Sequence, residues 1–120
     1  MVMEPLVDKP VEKKLPDDYP SKETIEQWKE EYGEIAQAEF GEDVYIYRGM
    51  LKSDKTKLKE LADQGMDQEK LDEEAMKLCV LYPVLTDEKI NAMKAGTITF
   101  LSDDIVRLSG FLPDKPPELL

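Results

Sequence analysis

No histidine occurs in the sequence, and it has a single cysteine, Cys79. The first absence removes every Ser-His or Cys-His pair, which closes the usual route to an activated hydroxyl or thiol nucleophile. The second excludes an internal disulfide and a zinc site of cysteine and histidine, which needs several such ligands. In the apolar run MKLCVLYPVL the lone thiol reads as a buried, inert side chain, and it fits a reducing compartment. Glycine loops of the GxxxxGK and GxGxxG types, which cradle phosphates, are also missing. Basic residues are scarce: 16 Lys and Arg face 27 Asp and Glu, a net charge of −11. A groove binder of DNA or RNA, or a protein of anionic membrane surfaces, needs the opposite balance, so neither nucleic acid nor membrane is an expected partner. No stretch is apolar over the length of a membrane span. The opening residues, MVMEPLVDKPVEKKLPDD, lack the continuous apolar centre of a signal peptide. A cytoplasmic protein is the expectation.

What remains for chemistry is carboxylate. Asp103 and Asp104 are neighbours in sequence, so on a helix they point about 100° apart and do not converge on one reacting bond. We expect them in the first turns of a last helix, where the helix dipole favours negative charge. The acids of DEEAMK, from Asp72, read as a solvated helix face. No segment has the alternating oxygen ligands and central glycine of a calcium loop. No catalytic, cofactor-binding or metal-ligating residue is therefore assigned, and the expectation is a protein that is not an enzyme.

With 120 residues, 36% of them charged, the chain suits one domain with a modest core. Residues 1–20 hold Pro5, Pro10, Pro16 and Pro20 and only isolated apolar side chains, which predicts an extended arm. Ser21 is an N-cap candidate. Ile25, Trp28, Tyr32 and Ile35 then keep helical spacing, which predicts a helix over residues 22–40 that Gly33 weakens by about 1 kcal/mol. The β-branched and aromatic run Val44, Tyr45, Ile46, Tyr47 predicts one short extended connection. Ser53 is expected to cap a helix carrying Leu58 and Leu61. Asp67 caps the next, with a Met66–Leu71 staple and a stripe of Leu71, Ala75, Leu78 and Tyr82 that Pro83 ends near Leu81. Thr86 caps a short helix with Ile90 and Met93. Thr97 or Thr99 starts the last one, whose inward face is Ile98, Leu101, Ile105 and Leu108. Gly110 is its left-handed stop, and Phe111 folds back on it. The expected fold is mainly α: a small single-domain helical bundle over residues 21–111, with an arm at 1–20, a proline-rich tail at 112–120 and one strand-like segment. Its core is Leu71, Leu78, Tyr82, Ile90, Leu101, Ile105 and Leu108.

The back half has a familiar pattern. EEAMKLCVLYPVL followed by INAMKAGTITFLSDDIVRLSGF resembles small phage tail assembly chaperones: a helix ending in an apolar run and proline, then Ala95-Gly96, a leucine-bearing helix, and Ser109 to Phe111. The resemblance implies a non-enzymatic protein that holds the tape-measure protein soluble until tail-tube subunits polymerise around it. The arm and the KPPELL ending have no counterpart in that pattern. They suit instead a virion subunit, of tail or baseplate, that clasps its neighbours. An acidic DNA mimic is a third reading, which the lysines interleaved in KSDKTKLKE oppose. The expected partners are other tail proteins, tape-measure or tube, with a homo-oligomer left open. Partner contacts are expected from residues the helical core does not use: Leu6 and Leu15 in the arm, Tyr45 and Tyr47 in the extended run, and Leu112, Leu119 and Leu120 in the tail.

Overall fold

The computed structural model describes residues 15–111 and 113–120. Among these the chain forms five helices and one antiparallel sheet of three strands: α1 (Lys22–Tyr32), β1 (Ile35–Phe40), β2 (Asp43–Arg48), α2 (Lys52–Asp63), α3 (Gln68–Cys79), β3 (Val80–Tyr82), α4 (Asp87–Ala92) and α5 (Ala95–Leu108). The fold is a small α-rich domain. Three strands replace the single strand-like segment expected from the sequence.

The helix predicted over residues 22–40 breaks at its glycine. Gly33 adopts φ 81°, and its N–H closes on the Lys29 carbonyl at 2.9 Å. The backbone then turns extended as β1, whose Phe40 pairs with Asp43 of β2 across a two-residue turn. Gly41 takes φ 63° there and Glu42 keeps a negative φ, the pattern of a II′ hairpin. So the glycine read as a weak point inside a helix is its end, and the next glycine makes a hairpin.

The run VYIYR is the central strand. β1 and β3 flank β2 on either side, and Val44 through Arg48 are all buried. Tyr45 and Tyr47 face α3 and α5 in a core with Met76, Cys79, Val80, Leu85, Ile90, Leu101 and Ile105. Ala36, Ala38 and Phe40 of β1 pack on that same face. The other face, which carries Ile46, meets Ile25 of α1 and Tyr19 around a small hollow. Residues 15–20 therefore pack and do not extend freely. Tyr19 stands edge-on to Tyr82 with ring centres 5.8 Å apart and donates to Gln37, and the Tyr82 hydroxyl donates to Asp18 at 2.7 Å.

Helix starts follow local chemistry. Ser21, Asp67 and Thr86 each accept the backbone N–H three residues on, as expected. α2 instead begins after Leu51, whose N–H donates to Asp54 at 2.8 Å; Ser53 is already helical. α3 ends at Cys79, because residues 80–82 pair with β2. Ile46 faces Tyr82 and Tyr47 faces Val80, so Leu81 is left over as a bulge. α5 starts at Ala95, before either threonine expected to cap it, and ends with Gly110 at φ 74°. Phe111 is 52% exposed and has the Lys55 ammonium 5.7 Å from its ring, so it is not folded away beneath the helix. Of the expected core, Ile90, Leu101 and Ile105 are buried, whereas Leu78 and Leu108 are partly buried against it. Leu71 and Tyr82 are half-buried only.

Candidate protein-binding surface

The polar groups drawn into the interior serve the fold. Arg48, at the end of β2, is 6% exposed. It donates to Asp54 at 2.6 Å, to its neighbour's carbonyl at Gly49 and to the Leu78 carbonyl at 3.0 Å, and it lies 4.6 Å over the Tyr32 ring. One guanidinium thus ties β2 to α1, α2 and α3. Burial alone would push the Asp54 carboxyl up. The hydrogen bonds from Arg48 and from the Leu51 N–H outweigh it and hold the group below the usual carboxylate range.

Tyr47 and Asp104 form a second link. The tyrosine hydroxyl donates to Asp104 at 2.5 Å, and Arg107 donates to the same carboxylate at 2.6 Å. Hydrogen bonding by Arg107 lowers the Asp104 pKa, with Tyr47 adding to the effect against some burial. Asp103 and Asp104 lie well beyond the first turn of α5, which contains no acid, so the dipole explanation does not apply. Asp104 holds sheet to helix, while Asp103 faces solvent. Cys79 is fully buried, and burial raises its thiol to about 11, which keeps it protonated and unreactive at neutral pH. Among the described residues no group of His, Cys, Asp and Glu is arranged to hold a metal, and no helix is long and apolar enough to cross a membrane.

The surface offers more. Helices α2, α3 and α5 enclose an open groove of about 470 Å³. Its floor is Met76 and Ile105, 0% and 2% exposed. Leu58 and Ala62 of α2, Leu71 and Ala75 of α3, and Val106 of α5 form the walls. The rim is charged: Lys55 and Lys59 on the α2 side, Asp72 and Asp103 on the other. The sequence reading places Leu71 in the core and Leu58 on the helix before it. Both line the open groove at the edge of the core, and Val106, 48% exposed, lies one residue off the stripe that periodicity picks out.

The residues expected to meet partners separate clearly. Leu6 and Leu112 lie outside the described residues. Tyr45 and Tyr47 are 7% and 2% exposed, central to the core, and cannot reach a partner while the sheet is intact. A lone aromatic strand looks like a free edge in sequence; with β1 and β3 beside it, it is the most enclosed element of the fold. Leu15 is 45% exposed beside a hollow shared with Pro16, Glu39 and Val44. Leu119 and Leu120 are wholly exposed, on an irregular segment that follows a bend at Asp114 and Lys115. Groove and tail lie close together at one end of α5, since Lys55 touches both the groove and Phe111.

Compared with known proteins, the chain matches no family model, no curated protein and no solved structure.

Proposed function

We propose that the protein is a phage tail assembly chaperone, which binds and shields apolar segments of the tape-measure protein or of tail-tube subunits in the host cytoplasm. The observation that carries this reading is the groove between α2, α3 and α5: an apolar floor and walls, open to solvent, with charges confined to the rim. Such a groove suits the apolar face of a partner helix, and a tape-measure protein is long and helical. Met50, partly exposed at the groove, contributes an unbranched side chain that adapts to more than one partner surface. The remaining acidic surface keeps the complex soluble. The segments EEAMKLCVLYPVL and INAMKAGTITFLSDDIVRLSGF, which carry the resemblance to tail chaperones, supply the later part of α3, β3 and α5, and with them Ala75, Met76, Ile105 and Val106 of the groove. On this reading the protein has no catalytic role and needs no cofactor.

A second reading, a permanent tail or baseplate subunit, is favoured by one feature: Leu119 and Leu120 stand fully exposed at the end of the described residues, as a clasp for a neighbour would. Mass spectrometry of purified particles separates the two. A transient chaperone is absent from mature particles, whereas a subunit is present in fixed stoichiometry. A pull-down with the tape-measure protein tests the first reading directly, and capture that survives Val106→Asp would remove the groove from it.

A further inference from the structure

We infer that the free protein self-associates, with residues 113–120 of one copy lying in the α2/α3/α5 groove of a second copy and the exchange being reciprocal. The tail has the chemistry the groove lacks. Leu119 and Leu120 are completely exposed and touch nothing in their own chain, while Val106 and the half-buried Leu58 and Leu71 leave an apolar trough open. Charges match on both sides. Lys55 and Lys59, one helical turn apart on α2, face the groove together, and the tail carries Asp114 and Glu118. Asp72 and Asp103 on the opposite rim answer the tail's single lysine, Lys115. An acidic chain of net charge −11 otherwise repels its copies, so a mixed-sign contact at this place is what permits close approach.

Geometry selects a second copy over the tail's own groove. Gly110 takes φ 74° after α5, the chain bends at Asp114 and Lys115, and Leu119 and Leu120 stay wholly exposed, outside their own groove, while Pro116 and Pro117 restrict the residues before them. At about 3.1 Å per residue, the five residues beyond that bend span about 15 Å, enough to lie along a groove in a neighbour. The tail's root stands at the rim, where the Lys55 ammonium lies 5.7 Å from the Phe111 ring. Two copies set groove to groove therefore each present a tail to the other, a closed two-fold arrangement. Restricting prolines lower the entropy lost when such a segment docks. This self-association concerns the protein without a client and does not depend on the phage partner proposed above.

Sedimentation velocity on the full-length protein, from about 1 to 200 μM, reads the outcome. The expected result is a concentration-dependent dimer of the 13.8 kDa chain. The full-length double variant Leu119→Asp, Leu120→Asp alters side chains that touch nothing in their own chain, and it should stay monomeric with an unchanged circular dichroism spectrum. Val106→Asp should weaken dimerisation at least tenfold by acting on the other partner of the contact. A synthetic peptide FLPDKPPELL should bind the monomeric double variant. A wild-type protein that stays monomeric throughout overturns the inference, also where the peptide binds, because the tail would then occupy its own groove. A dimer that persists in the Leu119→Asp, Leu120→Asp variant overturns it as well. So does a dimer lost in that variant but untouched by Val106→Asp, which would place the tail elsewhere.

Discussion

Arg48 and Asp54 meet at 2.6 Å with side chains only 7% and 10% exposed, in a protein whose other charges are mostly solvated. Removing one member of such a pair leaves the other charge buried and unmatched, which costs about 3–5 kcal/mol, whereas an exposed pair of the same residues contributes about 1 kcal/mol or less. Asp54→Ala should therefore lower the urea midpoint far more than Glu26→Ala, which breaks the exposed pair with Lys29 on α1. Acid should erase the difference. The Asp54 pKa is depressed in the folded protein, so its contribution is complete above the unfolded carboxylate value and is lost as pH falls through the lower folded value. Chemical unfolding of both variants at neutral and at strongly acidic pH measures this. A penalty for Asp54→Ala that stayed constant into acid would contradict the ion-pair assignment. Asp104 behaves in the same sense, because its pKa too is lowered. Asp104→Asn should cost about 1–2 kcal/mol through the weakened bonds from Tyr47 and Arg107, and Asp103→Asn no more than about 0.5 kcal/mol. Thermal melts of the two single variants decide it, and equal losses would show that the two acids act alike.

The elements meet most closely where β2 leaves the sheet. A Cβ on Gly49 would stand 2.3 Å from the carbonyl oxygen of Leu108 at the end of α5, a contact with backbone that no side-chain rotation relieves. Next to it the Met50 N–H donates to the Ser109 hydroxyl at 2.8 Å, and that hydroxyl donates to the Ile105 carbonyl at 2.6 Å. Gly49→Ala should cost about 1–3 kcal/mol by prising strand from helix, and it should loosen the groove wall that α5 supplies. A melt shows the loss; unchanged stability would mean that the two elements are not in this contact. The caps Ser21, Asp67, Thr86 and Gly110 were legible in the sequence because they act within a few residues of themselves, whereas Ser53 and Thr97 or Thr99, expected in the same role, lie inside helices that begin earlier. β1 was not. Its core-facing residues include Ala36 and Ala38, too small to mark an alternation, while Ile35 falls in register with Ile25, Trp28 and Tyr32 of the preceding helix. What makes 35–40 a strand is pairing with residues 43–48, a tertiary fact. β3 follows from the same cause, since Pro83 announces an end to α3 but not that residues 80–82 will join a sheet.

At the scale of the molecule, the exposed leucines of the tail could be named from sequence because nothing near them in the chain could cover them. The groove could not, because Leu58, Leu71 and Val106 come from separate helices whose placement depends on the sheet beneath. Acids also divide unevenly. Residues 17–43 hold Asp17, Asp18, Glu23, Glu26, Glu30, Glu31, Glu34, Glu39, Glu42 and Asp43 against Lys22 and Lys29, while α2 presents Lys55 and Lys59 to the groove. On the chaperone reading proposed above, a client stripe with flanking acids is drawn to the groove and away from the α1 face. The most direct test of that reading is to express a phage tape-measure protein alone, with this protein, and with its Val106→Asp variant, and to measure the soluble fraction of the tape-measure chain. The expected result is aggregation alone, solubility with the wild type, and aggregation again with a variant that remains folded. A tape-measure protein left equally insoluble by the wild type, or kept equally soluble by the variant, would contradict a chaperone that works through this groove.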